Sequence, residues 1–322
     1  MSQPVESYKS TCSYCGVGCG IVVSRDKKGR IQVKGDEDHP VNKGMLCSKG
    51  MNLHYTVMDT SDRFKYPQMR WSRHHSREQV DWDTAINRAA AIFKTFITNH
   101  GPDSVGLYVS GQCLTEEYYL ANKLVKGYLG TNNIDTNSRL CMSSAVVGYK
   151  ETLGDDAVPI SYEDIELSDC IFITGANPAW CHPILFRRIE KHKAENPNVK
   201  IIVADPRITD SCSLADLHLQ VQPGTDQMLF HAIGRYLIDE GLINDEFIQA
   251  HTNGFDDYVK EVRSKSLREY AAICKVSIDD IVEAARTIGA SKGFITMWAM
   301  GLNHLGVGAS RSSSMSVACV GW

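Results

Sequence analysis

The chain has 322 residues, 43% of them hydrophobic and 22% charged, with a formal net charge of -4. That length supports two domains and a sizeable core, and the acidic balance argues against nucleic acid or an anionic membrane as the main partner. No apolar run approaches the roughly 20 residues that span a bilayer. The opening MSQPVESYKSTC holds neither an apolar signal core nor twin arginines, so a cytoplasmic location is expected. Eleven cysteines, an odd number in a long chain, point to reduced thiols and metal ligation rather than a disulfide scaffold.

In chain order, residues 11–50 are dense in Cys and Gly, and Gly20–Ser24 with Arg30–Lys34 read as a hairpin across the turn Asp26-Lys27-Lys28-Gly29. Residues 59–81 are polar and weakly periodic, a linker. DWDTAINRAAAIFKTFITNHG predicts a helix with Asp81 or Asp83 as N-cap and Gly101 just past its end. Strands are then expected at 104–110, 169–174, 199–204, 217–221 and 293–298. Helices are expected at 115–129, 183–193, 225–240, 245–250 and 278–288. The alternation predicts a doubly wound, mostly parallel α/β sheet. It follows a small N-terminal domain over 1–63, so that 64–322 forms the second region, with a Rossmann-like part at 151–292 and an atypical tail at 305–322.

TCSYCGVGCG sets Cys12, Cys15 and Cys19 in C-x2-C-x3-C spacing, and GMLCSKG adds Cys47. A cubane iron–sulfur cluster needs thiolate corners converging from several directions, and Gly16, Gly18 and Gly20 allow a tight loop around it. A four-cysteine zinc site is the alternative. Zinc sites present two separated C-x2-C pairs, whereas three ligands here share one loop, so the spacing favours [4Fe–4S].

These motifs, followed by SGQ (110–112), NSRLCMSSAVVGYK (137–150), TGANPAWCHP (174–183), QPGTD (222–226) and WAMGLN (298–303), resemble the molybdopterin oxidoreductases. That family carries a [4Fe–4S] cluster and molybdenum bis(molybdopterin guanine dinucleotide). The resemblance implies that Cys141 is the molybdenum ligand; a soft thiolate suits a metal already held by dithiolene sulfurs, although by residue type alone Cys141 would be a core thiol. It implies that Lys49 lies between cluster and pterin, where a cation eases electron passage between anionic groups; by type alone Lys49 would be a solvated surface residue. The six other cysteines, at 113, 170, 181, 212, 274 and 319, read as packing residues.

For the cofactor tails, Gly175 and Asn177 follow a strand where backbone amides can face phosphate. Asp205 stands where α/β nucleotide folds place a ribose-binding acid, and Asp226 could accept from guanine or serve as an N-cap or first-turn acid. Gln112, Asn137, Gly224, Thr225 and Met300 join them by resemblance; His304 departs from the family pattern. Met142 follows Cys141 where formate dehydrogenases carry histidine, and NPAWCHP resembles the assimilatory nitrate reductases. The implied reaction is reduction of nitrate to nitrite, driven by an electron donor such as ferredoxin, flavodoxin or an NADH-linked flavoprotein. A cysteine-type formate dehydrogenase and an inactive cluster-bearing fragment are the alternatives. His54, His74 and His75 read as surface residues and Lys191-His192-Lys193 as a solvated helix end. Relatives in the family are more than twice this length, and the pattern dissolves after WAMGLN. A truncated chain is therefore expected, with a cluster, little molybdenum of its own and a loose end after about Leu305.

Overall fold

A computed structural model of the chain describes residues 6–58, 60–111, 113–157 and 159–304. Two compact units divide it: Met1–His54 with Met142–Trp322, and Tyr55–Cys141. The tail after His304 and the expectation made for it lie outside the described residues.

The first unit opens with a three-stranded antiparallel sheet of β1 (Glu6–Thr11), β2 (Gly20–Arg25) and β3 (Ile31–Gly35), in that order. The β2–β3 hairpin turns where the sequence placed it. Asp26 fixes the turn by accepting from the amides of Lys28 and Arg30 and from the Arg30 guanidinium. Strand β1 was not anticipated: ESYKST is exposed at every position and carries no period-2 apolar signal, so pairing with β2 over Glu6↔Arg25 to Thr11↔Gly20 defines it.

The second unit contains what the sequence read as a linker. Within it, β4 (Gln68–Met69) and β5 (Glu78–Gln79) pair antiparallel. Helix α1 (Trp82–His100) begins at Asp81, whose side chain accepts from the Thr84 amide at 2.7 Å, and ends at Gly101 with φ 82°. This satisfies one of the orphan amides of the first turn. The short strand β6 (Leu107–Val109) pairs parallel with β7 (Ile134–Thr136). Between them α2 (Thr115–Asn122) runs on into a π-helical turn, Lys123–Leu129. Helix α3 (Ser138–Leu153) spans the division between the units.

The rest of the first unit is built on a parallel sheet of β8 (Cys170–Thr174), β9 (Lys200–Ala204), β10 (Leu217–Leu219) and β11 (Phe294–Trp298), ordered β10-β9-β8-β11. Alternation along the strands sorts the core into two layers. Ile171, Ile173, Ile201, Val203 and Ile295 pack with Ile165 and with Ile189 of α4 (Pro183–Glu195). On the other face Phe172, Ile202, Ala204 and Leu219 pack with Leu229 and Phe230 of α5 (Asp226–Asp239). The chain continues through α6 (Asp245–His251), α7 (Phe255–Val262), α8 (Leu267–Cys274) and α9 (Ile278–Gly289). Tyr270 of α8 and Ile281 of α9 complete that layer. Helices on both faces of a parallel sheet give the expected doubly wound α/β architecture.

Two sequence readings are corrected here. Lys191-His192-Lys193 is not a solvated end: His192 is 6% exposed and its Nε2 lies 2.8 Å from the Ser168 carbonyl, while Lys193 pairs with Asp216 at 2.8 Å. Cys181 is exposed rather than packed, unlike the buried Cys170 and Cys274. His54 is half-buried, whereas His74 and His75 are exposed.

Candidate cofactor sites

Cys12, Cys15, Cys19 and Cys47 line one cavity together with Tyr14, Val17, Leu46, Pro183 and Ile184. The loop that carries three of them is closed by the Cys12 amide donating to the Cys19 carbonyl at 2.8 Å. Its glycines differ in role. Gly18 has φ +75°, and a Cβ on Gly20 would collide with the His39 ring; neither constraint applies at Gly16. Burial pushes the Cys19 thiol up to about 11, with the charges of Cys15, Cys12 and Cys47 adding to it.

That donor set fits a cubane. A single zinc ion needs its sulfurs about 2.3 Å from one point, and among the described residues no three His, Cys, Asp or Glu side chains converge as one ion's ligands would. The thiols instead ring a cavity with apolar walls, the setting in which burial and amide hydrogen bonds tune a cluster.

Asn42, which sequence reasoning missed, ties the two cysteine segments together. Fully buried, it accepts from the Gly20 amide at 2.7 Å and donates to the carbonyls of Gly20 at 3.0 Å and Met45 at 2.7 Å. Its position five residues before Cys47, within PVNKGMLC, was the available signal. Lys49 donates to the Trp180 carbonyl at 3.0 Å and lies 5.2 Å from the Tyr14 ring centroid. It thereby joins the cysteine lobe to the segment after β8, and it is a half-buried, bonded cation rather than a freely solvated one.

The order β10-β9-β8-β11 reverses at β8. The connection to β9 carries α4 on one face, and α5–α9 return to β11 on the other. Ligands bind outside the carboxyl ends of such strands. There Gly175, with φ +55°, accepts from the Gly301 amide at 3.0 Å. A Cβ on Gly301 would sit 2.6 Å from the Gly175 carbonyl oxygen, so each glycine requires the other. Asn177 accepts from the Ser211 hydroxyl at 2.6 Å. Gly224, at φ +84°, leads into α5, whose N-cap Thr225 turns its hydroxyl to the Gln222 carbonyl at 2.7 Å instead of capping. Met300 opens the short helix Met300–Asn303.

Asp205 and Asp226 are brought close together. Both are buried, Asp205 accepting from the Arg207 amide at 2.8 Å. Burial raises the Asp226 carboxyl above its ordinary range, the neighbouring Asp205 adds to this, and Thr174 partly opposes it. A carboxyl whose folded pKa is raised supports stability below its unfolded pKa and loses that support as pH rises through the folded value. Asp226→Asn should therefore stabilise the chain against urea near pH 7 and give little or no gain near pH 3. An equal gain at both pH values would contradict the buried charge.

In the second unit Asn137 accepts from the Gly111 amide at 2.6 Å; Gln112 lies outside the described residues. Cys141 is half-buried on the first turn of α3.

With this geometry in hand, comparison with known proteins is decisive. Residues 63–314 match the family described as Molybdopterin oxidoreductase, and residues 5–59 match the Molybdopterin oxidoreductase Fe4S4 domain. The chain belongs to the molybdopterin oxidoreductases. The family carries a molybdopterin cofactor and a [4Fe–4S] cluster. A nitrate reductase of Klebsiella oxytoca is 41% identical over 95% of this chain and 34% of its own length. An F420-dependent formate dehydrogenase subunit alpha of Methanocaldococcus jannaschii is 37% identical over 91% of this chain and 42% of its own. Relatives named as periplasmic and as assimilatory nitrate reductases also match. The acetylene hydratase of Pelobacter acetylenicus shares the fold, with TM-score 0.85 at 24% identity over 97% of this chain and 43% of that one. The chain thus spans about a third to two fifths of the length of the curated relatives it matches. No described helix is long and apolar enough to cross a membrane.

Proposed function

We propose that this chain forms the cluster-bearing and first pterin-binding part of an enzyme that reduces nitrate to nitrite, of the assimilatory type. The observation that carries the substrate is the pair Cys141-Met142 at the head of α3. A thioether, unlike an imidazole, cannot take up the proton that formate oxidation releases, whereas nitrate reduction needs no base at that position. The names of the nitrate reductase relatives support the same reading.

The balance is nitrate plus two electrons and two protons to nitrite plus water. When bound, molybdenum with two pterin guanine dinucleotides supplies the two-electron oxygen exchange, and a cluster supplies electrons singly. The chain holds and orients these groups. Cys12, Cys15, Cys19 and Cys47 are the cluster ligands in this reading, and Cys141 is the thiolate offered to molybdenum. Lys49 presents a cation between the anionic groups. The turn at Gly175 and Asn177 is where a diphosphate would sit, although the Gly175 amide itself is taken by the Ala204 carbonyl at 3.1 Å, and Gly224 leaves room for close approach. Asp205 and Asp226 accept from ribose hydroxyls and guanine N–H groups; ligand donors there would favour the charged form of Asp226 against the burial that opposes it. Thr225, Asn137, Gln112 and Met300 are further cofactor contacts in this reading. A separate electron-donor protein reduces the cluster.

The test uses the enzyme at its full length with cofactor loaded. Reduced viologen should drive nitrate consumption, and Cys141→Ala should lower turnover by at least about a thousandfold, since the ligand acts with the metal as a unit. Ready formate oxidation with nitrate untouched would overturn the proposal in favour of a formate dehydrogenase.

A further inference from the structure

We infer that Lys43, Glu166 and Arg188, a charge triad directly behind the cysteine cavity, set the reduction potential of the cluster held there. The inference rests on reading the four thiols as the ligands of that cluster.

Arg188 is 2% exposed on α4. Ile184, four residues earlier and therefore on the same helix face, lines the cavity, so the backbone positions are separated by a rise of about 6 Å. The guanidinium meets Glu166 through Nη2 at 2.8 Å and Nε at 3.0 Å. It also donates to the Val41 carbonyl at 3.1 Å, in the segment leading to Cys47. Its carbon lies 5.8 Å from the Tyr162 ring centroid. The Tyr162 hydroxyl donates to the carbonyl of Val17 at 3.2 Å, and Val17 stands between Cys15 and Cys19 in the cavity wall. Lys43 completes the triad with Nζ 3.1 Å from the second Glu166 oxygen. Although burial opposes its charge, Glu166 is held below the ordinary carboxylate range by Lys43 and Arg188.

Two cations on one carboxylate leave a net positive charge beside an apolar cavity; Arg188 is shielded from solvent, whereas Lys43 and Glu166 are partly open to it, which weakens their share. A buried ion pair adds little net stability over an apolar pair of the same volume, so stability alone does not account for the arrangement. Reduction places one more negative charge on a cluster. Positive charge nearby favours the reduced form and negative charge opposes it, which makes local charge a determinant of potential.

The experiment is a redox titration of the full chain, prepared anaerobically with its cluster and followed by electron paramagnetic resonance. Iron per chain and melting temperature are recorded for every variant. Glu166→Gln should raise the midpoint, while Lys43→Gln and Arg188→Gln should lower it. At fixed poise each should change the ratio of reduced to oxidised cluster about three- to tenfold, or about 30–60 mV for one electron. Loosened packing would move all three the same way; charge moves them in opposite directions. Glu166 and Lys43 are 38% and 51% exposed, so their variants decide the matter even where Arg188→Gln fails to fold. Glu166→Gln with full iron and a midpoint that is unchanged or lowered would overturn the inference. A parent chain that binds zinc and shows no cluster signal would overturn the cluster reading and the inference with it.

Discussion

Cys15→Ser should bleach the anaerobically prepared protein, taking iron from about four per chain, as a cubane requires, to below about one. Serine nearly matches the thiol in shape but offers a hard oxygen that rarely loses its proton, a poor partner for iron that prefers thiolates. Cys15 is half-buried at the cavity, on the loop that the Cys12–Cys19 backbone bond closes. The two layers packed on the parallel sheet contain none of the four cavity cysteines, so helical circular dichroism should be largely retained while visible absorbance disappears. Cys274→Ser supplies the contrast. That thiol is buried away from the cavity, with burial pushing it up to about 11; its variant should lose stability and keep its iron. Full iron in Cys15→Ser would remove this cysteine from the ligand set.

Asn42→Leu should be the most damaging single change that leaves every cysteine in place. The buried amide makes three hydrogen bonds, to the Gly20 amide and to the carbonyls of Gly20 and Met45. Leucine is close in size but strips the Gly20 amide and the Met45 carbonyl of this partner, while the Gly20 carbonyl keeps the Asp36 amide at 2.9 Å; one unsatisfied buried group costs about 1–3 kcal/mol. A loss of roughly 2 kcal/mol or more would fall on the lobe that joins Cys19 to Cys47. Iron release to a chelator should accelerate at least tenfold. Asn42→Asp keeps the acceptor for the Gly20 amide but sets a carboxylate against two carbonyls, and should be as harmful. Parental release rates in both variants would show that the two cysteine segments hold their positions without this clamp.

What could be read from the sequence was whatever is written locally. Asp26 and Gly29 announce the hairpin turn, Asp81 and Gly101 bound α1, and apolar runs such as CIFIT and KIIVA mark strands buried on both faces. Cysteine spacing identified the cavity residues because a cluster imposes its geometry on the chain within a few positions. Helix α8 was missed although its capping box was legible, with Ser266 and Glu269 bonded reciprocally. Strand β1 carried no signal, because an edge strand exposed throughout is specified by its neighbour. His192, Asn42 and Arg188 resemble ordinary polar residues in sequence. Their burial follows from contacts with partners such as Ser168, Gly20 and Glu166, which lie up to 24 positions away. The closeness of Asp205 to Asp226, and of Gly175 to Gly301, arises likewise only once the sheet order is set.

The most direct measurement is iron, acid-labile sulfide and zinc on one anaerobically purified sample of the chain, with electron paramagnetic resonance after reduction. The expected result is about four irons and four sulfides per chain and the signal of a reduced cubane, all lost together in Cys15→Ser. One zinc per chain in a colourless, folded sample, bound through the same cysteines, would contradict it.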